Sequence, residues 1–337
     1  MNHSPGSVGT DDVDSFIREY PNRQQVEMMT AWLASHEPGN FSFTGLVDPN
    51  DATVITPQAT VDYGYCWFSL SEGPAVVRTP TYDKFFSVSI FDMNHNVPAV
   101  VVDPIRPILI VRPGQEVPEG DHEVVTLETD QGLVFTRMVV VDNLEEVRAL
   151  SADITMEGGA GDMHRSVAEF SSATIEAGLA KIEAEVPQLD AKDGEVFPKK
   201  SGDVDPLRAA AAVMQGQLGT PMDSVVYALF MTDDHGSPLT GEDTYEVTVP
   251  SHIVQPDGYF SVTVYGTDNK LLIPNEQGIY DRTTYTSEPE ADGTFIVTLG
   301  PDGHGKNGIP TGKAFYGLLR AYVPVEGADI TPTVTHR

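Results

Sequence analysis

The reactive side chains of this chain fall in a few short clusters, each with a chemistry that its spacing could serve. Asp233-Asp234-His235 sets two carboxylates beside an imidazole, a combination that holds a metal or works as an acid and base. The residues after it, Gly236-Ser237-Pro238, also make the stretch a turn, in which carboxylates accept backbone N–H groups and glycine takes the bend. Asp92-Met93-Asn94-His95-Asn96 offers a carboxylate and an imidazole at i and i+3 just past an apolar run. On a loop that spacing fixes no ligand geometry, so Asp92 is retained as a candidate ligand contact or acid and no metal is expected. His304, in Gly303-His304-Gly305-Lys306, lacks the surrounding pattern of a phosphate-binding loop. Cys66 is the only cysteine, with no partner for an internal disulfide, and reads as a small buried apolar residue. A G-x-S-x-G nucleophile motif is absent, and no cofactor is expected.

Arg320 is the most informative single charge. Along 314–323 the faces divide into Phe315, Leu319, Ala321 and Val323 against Tyr316, Leu318, Arg320 and Tyr322. An arginine in mid-strand between tyrosines requires an anionic partner or a wet cleft, which an internal carboxylate or a ligand anion would supply. A second candidate lies in Thr56–Pro74. There Val61, Tyr63, Tyr65 and Trp67 share one face of an extended segment, and Asp62, Gly64, Cys66, Phe68 and Leu70 share the other. Such an aromatic row either lines the interior of a sheet or floors a ligand groove.

The elements that must position these residues are mostly strands. Residues 1–10 read as disordered; short helices follow from an Asp11 cap and again after Pro21, giving a helical segment over 1–38. Residues 39–157 read as a β-sandwich, with a half-buried strand at Phe85–Phe91, a long strand over 132–141 and a helix opening at Asn143. Alanine content and period mark helices over 174–186 and 205–218, so 158–220 is a helical connector. Strands resume over 221–330 and close as a second, jelly-roll-like sandwich. The expected fold class is mainly β, with two antiparallel sandwich domains and a helical connector. Phe85-Phe86-Ser87-Val88-Ser89-Ile90-Phe91 resembles Tyr259-Phe260-Ser261-Val262-Thr263-Val264-Tyr265, which reads either as a shared strand plan or as two half-buried strands converging on the same alternation.

Fifty acidic against twenty basic side chains give a formal charge of −30, which repels phosphate backbones and anionic headgroups. Nucleic-acid and membrane partners are therefore not expected. The acidity is spread along the chain as a solvating shell suited to high salt. The start lacks a basic region followed by an apolar core, so a cytoplasmic location is expected unless the chain is already processed.

These motifs resemble the proteins built from domain of unknown function 1254 followed by domain of unknown function 1214. The residues that carry the resemblance are Thr56-Pro57, Trp67 to Pro74, the strand over 85–94, the LIVRPGQEVPEG hairpin at 109–120, Arg137 and the helix over 143–151. Farther on they are Asp233 to Gly241, Tyr245, Pro250, Tyr259 to Thr263, Asp292-Gly293, Asn307 to Pro310 and Leu319 to Pro324. The resemblance implies two β domains with a helical segment between them. The chain departs from the family's usual residues at Gln58, at Thr60-Val61 and at Asn307-Gly308-Ile309-Pro310. The functional expectation is a small sugar-like or amphipathic molecule in an aromatic-lined cleft, contacted by Tyr63, Tyr65, Trp67, Asp92, Tyr316 and Arg320. A hydrolase or lyase with a carboxylate pair such as Asp92 or Asp233, and an assembly protein forming homo-oligomers, are the alternatives.

Overall fold

The computed structural model describes residues 11–50, 56–189 and 194–337; the segment expected to be disordered, 1–10, lies outside them. Within the described residues the chain is mainly β, with four sheets, four α-helices and mostly antiparallel pairing. It divides into two compact units. Met1–Phe43, Tyr63–Arg137 and Arg148–Met222 form the first, and Thr44–Asp62, Met138–Val147 and Asp223–Arg337 form the second. The helical stretches at 1–38 and 158–220 thus join the first unit, while two short segments within 39–157 join the second.

The first unit contains α1 (Val13–Leu33), β1 (Ser42–Phe43), β2 (Val61–Ser69), β3 (Ala75–Arg78), β4 (Phe86–Asp92) and β5 (Ala99–Val102). It continues with β6 (Ile108–Val111), β7 (Glu123–Thr126), β8 (Gln131–Val139, all but its last two residues), the second half of α2 (Leu144–Ser151), β9 (Thr155–Glu157), α3 (Ser172–Glu185) and α4 (Pro206–Gln215). The strands form sheets of order β1-β2-β8-β4-β5 and β7-β6-β3-β9. The expected hairpin at 109–120 is not one: β6 and β7 pair in parallel, so the chain between them crosses over to start β7 at the same end as β6. The alternation of β2 decides what packs where. Cys66 points toward β9, its Sγ 3.7 Å from Met156 Sδ, while Trp67 on the opposite face packs with Met29 of α1. Both faces of the larger sheet are therefore covered, and β4 is buried along its whole length, Ser87 and Ser89 included, rather than half-buried.

α1 also departs from expectation. Asp12, not Asp11, caps it by accepting from Ser15 N at 2.9 Å, and the helix runs unbroken through Pro21. An interior proline costs about 3 kcal/mol. Burial of Phe16, Ile17 and Tyr20 against α3 and α4 offsets that cost at about 1.5–3 kcal/mol for each large side chain.

The second unit holds β10 (Val225–Phe230), β11 (Tyr245–Val249), β12 (Val254–Gly266), β13 (Asp281–Thr283), β14 (Phe295–Gly300), β15 (Ile309–Pro310), β16 (Phe315–Pro324) and β17 (Thr333–His336). Sheets β10-β16-β12-β13 and β15-β14-β11-β17 enclose one core, to which Phe260, Val262, Leu319 and Ala321 come from one side and Val247, Val249, Val297 and Leu299 from the other. Period two then places Tyr259, Ser261, Thr263 and Tyr265 of β12, with Tyr316, Arg320 and Tyr322 of β16, on the face turned away from that core.

Candidate functional site

Two neighbouring cavities in the first unit share one wall. The larger, about 580 Å³, is lined by Asn94, Arg112, Gln115, Glu128, Asp130 and Arg165 among others; the smaller, about 350 Å³, by Asp92, Thr126, Glu128, Lys199 and Lys200. Glu128 lines both. The walls are loops: the turn after β4, the turn after β6, the β7–β8 connection, and the segments after β9 and before α4. They are cross-tied. Thr129 Oγ1 accepts from Met93 N at 3.1 Å and donates to Gln131 O at 2.6 Å, and Glu128 accepts from Asn96 Nδ2 at 3.3 Å and from Ser201 N at 3.1 Å.

The charge pattern of this region is unlike the rest of the chain. Four of the twenty basic side chains, Arg112, Arg165, Lys199 and Lys200, line the two cavities. Arg165 is held in place, donating to Asn22 Oδ1 at 2.7 Å and to Asn94 Oδ1 at 3.4 Å, with Asp130 3.8 Å away. Arg112 is not held. Its backbone N–H meets Gln115 Oε1 at 2.9 Å, but its guanidinium has neither a hydrogen bond nor an ion pair among the described residues.

Asp92 is buried and caps the turn that shapes the smaller cavity. Its Oδ1 accepts from Asn94 N at 2.8 Å and Asn96 N at 2.9 Å, and its Oδ2 from Asn96 Nδ2 at 2.8 Å. Burial pushes its carboxyl up to about 6 against the pull of those donors, and the charge of Glu128 adds to the rise. His95, at the left-handed position of the same turn, accepts from Leu218 N at 3.0 Å, and burial lowers its imidazole to about 4, so it is neutral at pH 7.

The six residues expected at one site are distributed among three places. Tyr63 stacks on Phe135 with centroids 5.2 Å apart, Tyr65 packs edge-on against Trp32 of α1 at 4.6 Å, and Trp67 is 2% exposed. The aromatic row is thus the seat of α1, and it lines neither cavity. Asp92 lines the smaller cavity. Tyr316 and Arg320 belong to the second unit, where residues 56–60 cover their face. Arg320 donates there to Thr263 Oγ1 at 3.3 Å and Thr56 O at 2.7 Å. Asp281 lies in the same face and feels its charge, although burial dominates and pushes Asp281 up to about 6.

The other reactive clusters are structural in their geometry. Asp233 Oδ1 accepts from His235 N at 2.9 Å and Ser237 N at 2.8 Å, which is turn chemistry. Cys66 is buried, and its thiol is pushed up to about 12 by that burial. Among the described residues no group of three or more His, Cys, Asp or Glu side chains is placed to hold a metal, and no helix is long and apolar enough to cross a membrane. Arg112, Arg165, Glu128, Lys199 and Lys200 were not singled out by sequence as site residues. The usable signals were Arg112 opening a Pro-Gly turn and the adjacent lysine pair in an otherwise acidic chain.

Two family models match the chain: protein of unknown function (DUF1254) over residues 39–158 and protein of unknown function (DUF1214) over residues 224–326. No curated protein matches it. Among solved structures, the VPA0106 protein from Vibrio parahaemolyticus is similar with a TM-score of 0.77 at 18% identity, over 96% of this chain and 98% of that one. An uncharacterized protein from Burkholderia cenocepacia is similar with a TM-score of 0.55 at 10% identity, over 96% and 88%. At such identities the likeness shows the fold alone.

Proposed function

We propose, for a chain that belongs to the family in which a DUF1254 domain is followed by a DUF1214 domain, that the first unit binds a small acidic molecule in the cavity lined by Arg112 and Arg165. The observation that carries this reading is the unpaired guanidinium of Arg112. With fifty carboxylates available, a lining arginine left without one is an anion receptor awaiting its anion. A volume of about 580 Å³ suits a small ligand, and the amide and carboxylate groups of Asn94, Gln115 and Asp130 suit hydroxyls beside the anion, as in a sugar acid. Aromatic stacking has no part in this reading, because the Tyr63, Tyr65 and Trp67 row carries α1.

The test is calorimetric titration with sugar acids, dicarboxylates and inorganic phosphate, and with neutral sugars as controls. An acidic ligand binds the native protein, and Arg112→Ala weakens it at least about tenfold, equivalent to ~1.4 kcal/mol. The substitution should leave folding stability within about 0.5 kcal/mol, as for a half-buried side chain whose guanidinium holds nothing. Equal affinity in the two proteins sinks the reading, and so does the absence of any binding tighter than about 1 mM.

A second reading has one observation in its favour. Asp92, protonated below about pH 6, lines the smaller cavity with ionisable Glu128, a pairing that suits acid and base roles in hydrolysis or elimination. Release of product from acidic glycosides, lost in Glu128→Gln, would favour it over binding alone.

A further inference from the structure

The second unit carries a different recognition surface. The outer face of β13, β12 and β16 does not meet residues 56–60 through apolar packing alone; it reads them group by group. Arg320 Nη2 donates to Thr56 O at 2.7 Å, and Tyr265 Oη donates to Pro57 O at 2.8 Å. The amide of Gln58 is gripped from both ends, its Nε2 donating to Tyr259 Oη at 2.6 Å while Tyr322 Oη donates to its Oε1 at 2.8 Å. Those two rings are stacked with centroids 4.6 Å apart and planes 4° from parallel, so the hydroxyls are set side by side for one planar amide. Ala59 sits among Tyr265, Leu272 and Tyr316, and Thr60 Oγ1 donates to Asp281 Oδ2 at 2.9 Å.

Two backbone carbonyls, one amide, one small apolar side chain and one hydroxyl are therefore each met by a dedicated group. The carbonyl contacts would hold an extended chain of any sequence, and the contacts to Gln58, Ala59 and Thr60 would select among sequences, the same division of labour as in extended-peptide recognition at sheet edges. Two features separate this face from an ordinary packed layer. Thr56 is held at φ 52°, a left-handed conformation that a β-branched residue rarely adopts, so the segment is bent to fit the face. Ser261, paired in register with Arg320 and fully buried, has a hydroxyl without a hydrogen-bond partner among the described residues. That hydroxyl is a polar group that the resident segment does not satisfy.

We propose that this face is a binding site for an extended peptide carrying a Pro-Gln step followed by a small residue and a hydroxyl-bearing one, and that residues 56–60 are its resident occupant. A peptide from another chain competes with the resident segment, so the site opens in proportion to how weakly that segment is held.

The test uses the full-length protein and a fluorescently labelled peptide with the sequence of residues 56–62, followed by anisotropy. Thr60→Val and Gln58→Ala each loosen the resident segment while leaving the face intact. Either variant, verified as folded by circular dichroism, binds the peptide saturably and at least tenfold more tightly than the native protein does. A peptide with alanine in place of its glutamine binds at least tenfold more weakly, and adding Arg320→Ala to the variant abolishes binding. Should Gln58→Ala fail to fold, Thr60→Val, which replaces the hydroxyl with a methyl of similar size, decides the question. No saturable binding to a folded variant, or equal binding of the two peptides, overturns the proposal. A concentration-dependent dimer of the loosened variant that the peptide dissolves identifies the incoming segment as that of a second copy and supports it.

Discussion

Arg137 and Arg320 stand in the same relation to their sheets. Each sends Nη1 to a hydroxyl on a neighbouring strand, Ser89 at 2.9 Å and Thr263 at 3.3 Å, and Nη2 to a backbone carbonyl of a covering segment, Leu218 O at 2.6 Å and Thr56 O at 2.7 Å. Both gripped residues have positive φ, 62° and 52°, and each guanidinium also lies over a ring, that of Phe135 at 4.2 Å and that of Tyr265 at 5.8 Å. Ser89 and Thr263 hold the same offset in the two echoing strand sequences. The echo is therefore matched in three dimensions by a repeated clamp.

That clamp depends on a planar fork, so Arg137→Lys should behave as a loss rather than a conservative change. Removing a charged donor from a buried carbonyl and a buried hydroxyl costs about 2–4 kcal/mol. Urea unfolding of Arg137→Lys and Arg137→Ala checks this; a lysine variant as stable as the native protein refutes the fork.

Tyr259 and Tyr322 share the single amide of Gln58. Tyr322→Phe and Tyr259→Phe each cost about 1 kcal/mol, and their effects fall short of additivity by about 0.5 kcal/mol or more. A double-mutant cycle measures the shortfall. Strict additivity would mean that the two hydroxyls act independently.

Asp281 gives the second unit a pH signature. Burial raises its carboxyl from 3.8 to about 6, so the folded state holds a proton that the unfolded chain releases. Its contribution is fully present below about pH 4 and is lost as pH rises through 6, amounting to ~3 kcal/mol at most. Asp281→Asn, which mimics the protonated form, should gain on the native protein between pH 4.5 and 7.5 when both are unfolded in urea. A stability difference that is flat across that range contradicts the assignment.

A formal charge of −30 predicts a salt response. Self-repulsion among exposed carboxylates falls as the screening length shrinks from about 10 Å at 0.1 M to about 3 Å at 1 M salt. The thermal midpoint should rise across that interval, as differential scanning calorimetry in sodium chloride would show. A midpoint indifferent to salt removes the case for a protein suited to high salt.

Much of the fold was legible because its signals are local. The alternation of Val61–Leu70 gave β2 to within one residue, and alanine content located α3 and α4. The interior of α1 was not legible, since the burial that carries it past Pro21 comes from residues more than a hundred positions away. The site was hidden for the same reason. Arg112, Glu128, Arg165 and Lys199 share no period or motif, and only the closing of separate loops brings them to one pair of cavities. The aromatic row was the loudest signal in the sequence, but periodicity identifies a face without saying whether a ligand or a helix lies on it.

Glu128, the wall between the two cavities, makes them thermodynamically one system. Under the proposed binding, a ligand held on the side of Lys199 and Lys200 would change the potential felt by an anion beside Arg112. Linkage would then require the same free energy in the reverse direction, so that filling either cavity would alter the affinity of the other by an equal factor.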